Sequence, residues 1–376
     1  MKTRSTDEDD GLSMIKDLMT QITQKQNTQK QINLVAFVDD PGCDKHKMIE
    51  PSHQESEKRT QIIRKAIQKY QLDKFMIRSG SIDLTKSDMF RVHNKEYIEQ
   101  LIYFGRTNKP VTVPEPSTDL TMSSIDSLEG IFAAASSVMG GVDTVCGKIV
   151  IDKTFHNNKY SYTTKRVRKV FCNVRPPGHH AHINHGAGFC FMNNVAIGAK
   201  FALDKYNSFI KRVLIFDWDL HHGDGTEDIF KDDPNVMYVS FHRGGPNDEF
   251  YPFTGTGTTQ INDLSYQNKN IHNFSIGPNE SADSYMTKFR NEFMPLAKAF
   301  DPDLVFISCG FDSHKDDHYH ALPLDYCHFQ EMTKHLCRLA DECATGRLVS
   351  VLEGGYTPNI LYRCAIIHML TMVNGY

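Results

Sequence analysis

The chain carries almost no excess of charge. Its 42 Lys and Arg against 46 Asp and Glu leave a net −4 over 376 residues, so no long-range field draws it to nucleic acid or to an anionic membrane surface. Paired cysteine motifs are also missing. Nine cysteines, an odd number without a Cys-x-x-Cys, exclude a disulfide framework. Cys172, Cys190 and Cys309 sit inside apolar runs and read as reduced core thiols. No uninterrupted apolar run approaches ~18 residues, and the opening Met1-Lys-Thr-Arg-Ser-Thr is too polar for a secretory signal. There is no internal repeat and no long linker. The expectation is a soluble, intracellular chain, long enough for one large α/β domain or two modest ones.

Up to about residue 31 the sequence is rich in Gln, Lys and Asp. Leu12, Met14, Ile15, Leu18 and Met19 offer at most one short amphipathic helix, and a largely disordered tail is expected. An apolar strand follows at 32–38, then a polar-faced helix at 57–70 with Ile62, Ile63 and Ile67 turned inward. Helices are predicted across 87–103 and, rich in Ala and Gly, across 128–142. Residues 147–169 show no clear periodicity and read as an exposed insertion carrying the basic cluster Lys165, Arg166, Arg168 and Lys169. Beyond it, apolar strands at 170–174, 213–216, 236–240, 271–276, 304–308 and 348–352 are interspersed with helical patterns at 193–205, 281–299 and 325–343. This alternation predicts a mainly parallel sheet covered by helices on both faces. Such sheets place their sites at the C-terminal ends of the strands.

Polar residues collect at those ends. The run 213–216 breaks into Asp217, Asp219, His221, His222 and Asp224. Side chains two apart on a strand share a side, so Asp219 and His221 project together as a carboxylate–imidazole pair suited to zinc or a similar divalent ion. The tandem His179-His180 follows 170–174, and His242, Phe250, Tyr251 and Phe253 follow 236–240. Cys309-Gly-Phe-Asp-Ser-His-Lys-Asp-Asp317 follows 304–308, and Glu353-Gly-Gly-Tyr356 follows 348–352. For any one of these a satisfied core or loop residue is the simpler reading. Five strand ends bringing ionisable groups to one face favour a site, because such groups are rarely buried unless paired.

In this order RPPGHHA, GFCFMNN, DWDLHHGDGT, SCGFDSHKDD and LEGGY resemble the signature blocks of the zinc-dependent histone deacetylase family, closer to its class II branch, over roughly residues 32 to 376. The resemblance implies a single-domain arginase/deacetylase-type α/β fold and hydrolysis of the acetyl amide of acetyl-lysine in histones or other proteins. It implies one catalytic zinc held by Asp219, His221 and Asp317, with Asp312 and Asp316 as nearby rivals for the third place. Asp316 and His318 stand where the family usually has glycine and proline. His180 would be the general base and acid, backed by Asp224, and His179 a charge stabiliser backed by Asp217. Asp224 is expected to raise the basicity of His180. Tyr356 would donate its hydroxyl to the oxyanion.

Gly188 and Phe189 match one wall of the family's aromatic tunnel, and Tyr251, or Phe250 beside it, the other. Leu324 falls where polyamine-selective relatives place a glutamate, which favours peptidyl acetyl-lysine over acetylpolyamines. The family also binds potassium, here expected at Asp217, Ser240 and the backbone oxygens of Asp219 and His221. His182 and His185 are expected to be surface histidines rather than a second metal site. Residues 48–55 depart from the His-Pro-Glu sequence usual in the entrance loop, which leaves Asp119 a weak candidate for gripping the substrate backbone. The implied partner is an acetylated protein in nucleus or cytoplasm, without direct contact to nucleic acid or membrane. Three alternatives stand beside this reading: a deacetylase of small acetylated amines, a zinc-holding reader of acetyl-lysine without turnover, and arginase-like two-manganese chemistry. The one-zinc pattern disfavours the last.

Overall fold

Short runs of apolar, mostly β-branched and aromatic residues build the centre of the molecule. In the computed structural model, which describes residues 4–28, 32–107, 111–112, 120–122, 125–147, 149–156, 159–244, 250–253 and 268–375, they form one sheet of eight strands. Numbered along the chain, these are β1 Val35–Val38, β2 Met76–Ser79, β3 Lys169–Cys172, β4 Val213–Asp217, β5 Val236–Arg243, β6 Ile271–Ile276, β7 Leu304–Cys309 and β8 Leu348–Leu352. Their order across the sheet is β6-β5-β4-β7-β8-β3-β1-β2, and every pairing is parallel. β4, β7 and β8 are buried at every position, which is why they read as continuous apolar runs rather than alternating ones.

Alternate side chains feed two cores. Val170, Ile215, Phe306 and Val349 meet helices Ile125–Gly147 and Asn194–Lys205 on one face. Phe171, Phe216 and Ile307 meet helices Tyr326–Cys343 and Pro358–Asn374 on the other. By length and composition Ile125–Gly147 would cross a membrane, but 72% of its most apolar stretch is buried inside the protein. It is a core helix whose interrupting Ser, Gly and Asp hid its apolar character from a run-length test.

Two expectations are corrected. Residues Arg4–Asn27 form a helix, not a disordered tail. Ile15, Leu18 and Ile22 lie at helical spacing and are fully or almost fully buried, against the apolar helix Pro358–Asn374. Lys25 Nζ also donates to the Asn374 carbonyl at 2.6 Å. A narrow apolar stripe was enough because the facing helix is mostly apolar, with Asn374 donating to Gln21 Oε1 at 2.9 Å at its end. The second correction concerns only Lys169, at the end of the insertion expected at 147–169, within which Ile149–His156 and Lys159–Arg166 pair as an antiparallel hairpin separate from the main sheet. Lys169, assigned to an exposed cluster, instead opens β3, is buried, and pairs with Asp341 at 2.6 Å.

Candidate active site

The C-terminal ends of β3, β4, β7 and β8 converge. Past the end of β4 the chain is turned by its own carboxylates: Asp217 Oδ1 accepts from the Asp219 N–H at 3.0 Å, and Asp219 Oδ1 from the His221 N–H at 2.9 Å. His221 Nδ1 then lies 3.2 Å from Asp219 Oδ1 and 3.3 Å from Asp312 Oδ2. One donor atom each from Asp219, His221 and Asp312 falls within 4.8 Å of the others. Burial and the neighbouring Asp219 push the Asp312 carboxyl up to about 6. Burial opposes charge on His221, but Asp219 and Asp312 outweigh it and lift the ring to about 9.

Asp317, the third ligand implied by the family resemblance, is not one of these three donors. Its Oδ2 accepts from the backbone N–H of Tyr356 at 3.0 Å and of Thr357 at 2.8 Å, which ties the loop after β7 to the segment leading into helix Pro358–Asn374. Asp316 is half-buried beside His314. Of the three aspartates after β7, Asp312 is the one grouped with Asp219 and His221 among the described residues.

The tandem histidines arrive on the loop after β3, which Glu353 anchors by accepting from the Gly178 N–H at 2.6 Å. His179 Nδ1 lies 3.1 Å from Asp217 Oδ2, and His180 Nδ1 lies 2.7 Å from Asp224 Oδ1. The two rings differ in charge. Burial works against a charged His179, yet Asp219 and Asp217 outweigh it and hold the ring well above the usual histidine range. Burial and the positive His179 push His180 down to about 3, although Asp224 acts in the opposite, expected direction. His180 is thus neutral, and with Nδ1–H given to Asp224 its Nε2 is left as a proton acceptor.

Both histidines line a cavity of about 310 Å³ with His221 and aromatic walls. Phe189 and Tyr356 stand edge to face at 6.1 Å, and Tyr319 and Tyr356 at 5.8 Å. Tyr251 stands edge to face with His180 at 5.1 Å, while Phe250 stacks on His221 at 5.4 Å. Both candidates for the second wall therefore line it. Gly188 has φ +52°, and a Cβ there would meet His180 Cδ2 at 2.3 Å, so no side chain fits. Burial raises the Tyr356 hydroxyl well above its usual range, keeping it a neutral donor.

Residues 53–372 match the histone deacetylase domain family. The chain belongs to the histone deacetylase family. It is 34% identical over 264 residues to "Type-2 histone deacetylase 2" of Dictyostelium discoideum, covering 67% of this chain and 14% of that protein. It is 36% identical over 287 residues to "Histone deacetylase clr3" of Schizosaccharomyces pombe, covering 74% and 38%. The chain thus spans less than two-fifths of the length of these curated relatives. Its fold matches the crystal structure of the HDA15 HD domain with a TM-score of 0.75 and 26% identity, over 91% of this chain and 90% of that one.

Histone deacetylases are generally zinc-dependent, and the donor set of this one fits zinc. Asp312 Oδ2 is buried without a hydrogen-bond partner beside the His221 ring. The backbone closes tightly behind it: a Cβ on Gly354 would stand 2.2 Å from that oxygen and 2.6 Å from Asp219 Oδ2. For potassium, Asp217 and Ser240 are register partners across β4 and β5, with Ser240 Oγ hydrogen-bonded to His242 Nδ1 at 2.8 Å.

Leu324 is a further correction. It is fully buried in the core, bridged to His314, and does not line the cavity. Tyr319 does, its hydroxyl accepting from Gln54 Nε2 at 2.6 Å. Arg59 was also missed: its guanidinium lies 4.9 Å over the Tyr356 ring, and its Nε donates to the Gly355 carbonyl at 2.8 Å. The only advance sign of Tyr319 was an aromatic directly after the Asp-rich loop; for Gln54 and Arg59 there was none. His182 is not a free surface histidine either, because it lies between Asp224 and Asp228. Asp119 lies outside the described residues.

Proposed function

We propose that this domain hydrolyses the acetyl amide of acetyl-lysine in protein substrates. The observation that carries the reading is one aromatic-walled cavity lined by His179, His180, Tyr356 and His221, with the carboxylates of Asp217 and Asp224 behind the first two rings and those of Asp219 and Asp312 beside His221. A single zinc held by those three residues would supply Lewis acidity toward the amide carbonyl and lower the pKa of water. The chain's own groups do the rest. Phe189, Tyr251, Phe250 and Tyr319 hold the uncharged acyl-lysine stem and exclude bulk water. Nε2 of His180 takes the proton of the attacking water and delivers it to the departing amine. His179, charged against Asp217, offsets the developing negative charge. The Tyr356 hydroxyl donates to the oxyanion.

None of the described residues lining the cavity is a carboxylate, so nothing there attracts the second ammonium of an acetylated polyamine. That favours a peptide substrate over small amines, and the complete His–Asp set favours turnover over a silent reader. A structural potassium beside Asp217 and Ser240, and residence in nucleus or cytoplasm, belong to the same reading.

The test is acetate release from an acetyl-lysine peptide by zinc-loaded protein, with Tyr356→Phe alongside. The variant should keep its zinc and lose about 10²–10³ in kcat. Turnover of acetylspermidine but not of the peptide would replace the substrate class, and zinc binding without turnover of either would end the enzyme reading.

A further inference from the structure

Behind the His180–Asp224 pair the polar chain continues toward the surface. Asp224 is buried, and its carboxylate receives three donors. Oδ1 accepts from His180 Nδ1 at 2.7 Å and from the Gly225 N–H at 3.0 Å, while Oδ2 faces His182 Nε2 at 3.2 Å. The other ring nitrogen of His182 faces Asp228 Oδ2 at 3.3 Å, and Asp228 Oδ1 accepts from Lys231 Nζ at 2.7 Å. Ionised carboxylates only accept. Both His182 nitrogens must then carry hydrogen, so the ring is an imidazolium.

The surroundings agree. Burial opposes the charge, but Asp224 and Asp228 outweigh it and raise His182 to about 9. The other titratable groups facing it are His185, stacked at 4.3 Å, His93, whose Nδ1 lies 2.8 Å from the His182 carbonyl, and Lys231 beyond Asp228.

We propose that His182 is a positioning residue of the acid–base pair, clamping the free oxygen of Asp224 so that this carboxylate keeps one orientation toward His180. Without the clamp, Oδ2 of a buried carboxylate loses the one side-chain donor it has among the described residues, and Asp224 turns to find another. His182 needs no contact with substrate or metal to act this way. The inference rests on the deacetylase reading for its kinetic consequence, but the charge of the ring can be measured without any turnover.

The experiment compares zinc-loaded wild type, His182→Ala and His182→Gln on an acetyl-lysine peptide, with zinc content and Tm for each. Histidine ring NMR follows wild type and Asp224→Asn with pH. His182→Ala should lower kcat by roughly ten- to a hundredfold, the range usual for an outer partner that orients a site histidine or ligand, with KM within about twofold and zinc retained. His182→Gln, whose amide N–H reaches Asp224, should recover most of the rate. A merely structural role would move Tm and KM together with kcat and give no recovery in the Gln variant, and that pattern overturns the proposal. The His182 ring should be charged at pH 7 in wild type and lose its charge at lower pH in Asp224→Asn than in wild type. A neutral ring at pH 7, or a His182→Ala kcat within twofold of wild type, also overturns it. Wild type without turnover refutes the deacetylase reading instead, and the ring's charge then decides the clamp alone.

Discussion

Gly188→Ala adds one methyl where the structure has room for none. The added Cβ would stand 2.3 Å from His180 Cδ2, 2.8 Å from its Cγ and 2.9 Å from Tyr251 Oη, against 3.4 Å or more for ordinary contact. Either the ring retreats by about 1 Å or the backbone leaves its left-handed conformation, which disfavours an L side chain by ~1–2 kcal/mol. The ring cannot retreat while keeping its 2.7 Å bond to Asp224. A shift of ~1 Å in a reacting group costs about 10²-fold in rate, or about 2.7 kcal/mol of barrier. We expect kcat on an acetyl-lysine peptide to fall about a hundredfold, with stability lowered by ~1–2 kcal/mol in denaturant titration. Zinc should stay bound, since Gly188 touches none of the three ligands. A kcat within about threefold of wild type would refute the placement of His180 as a base held against Gly188, because the overlap cannot be relieved without moving one of them.

Two further outcomes separate the metal site from its neighbours. Asp312→Asn should abolish stoichiometric zinc by metal analysis after dialysis, whereas Asp317→Asn should keep zinc and lose ~1 kcal/mol of stability through weakened hydrogen bonds from the Tyr356 and Thr357 N–H groups; the reverse pattern would make Asp317 the ligand. Zinc uptake should also release protons. With His221 lifted to about 9 in the metal-free protein, its ring is protonated at pH 7 and must give up that proton to bind. Affinity should therefore rise with pH, by up to about tenfold per unit for one displaced proton, and level off above about 9. Calorimetry in two buffers of different ionisation enthalpy measures the release, and identical heats in both would contradict it.

How far the sequence could be read depended on whether burial leaves a pattern. β4, β7 and β8 were legible almost to the residue, since strands covered on both faces are apolar at every position. β2, the half-exposed edge strand Met-Ile-Arg-Ser, carries no such run and was missed. Helix Pro358–Asn374 is buried on all sides, so it shows no polar face and no helical periodicity to detect. Within the site, alternation pairs Asp219 with His221, but β4 ends at Asp217, and it is the turn beyond it, held by the Asp217 and Asp219 carboxylates, that brings the two together. For the third ligand the residues alone leave Asp312, Asp316 and Asp317 open, because position along an irregular loop does not say which turns inward. Leu324 and Tyr319 were exchanged for the same reason. Arg59 and Gln54 come from a segment more than 100 residues before the tandem histidines, and nothing local marks them.

The position of β8 has a consequence for how the molecule is made. It lies between β7 and β3 and joins the half-sheet β6-β5-β4-β7 to the half-sheet β3-β1-β2. Synthesised from the N-terminus, the chain can assemble both halves before residues 348–352 emerge, and until then two strand edges stand open to foreign pairing. Closing them joins β8 to strand β3, whose residues precede it by more than 170 positions, a long-range pairing of the kind that slows folding. The residues that emerge directly behind β8 are Glu353, which anchors the tandem-histidine loop, Gly354, whose N–H steadies Asp219 at 2.8 Å, and Tyr356. The last strand of the sheet along the chain is therefore followed directly by residues that brace and line the candidate site, so closing the sheet and completing that site fall to the same stretch of sequence.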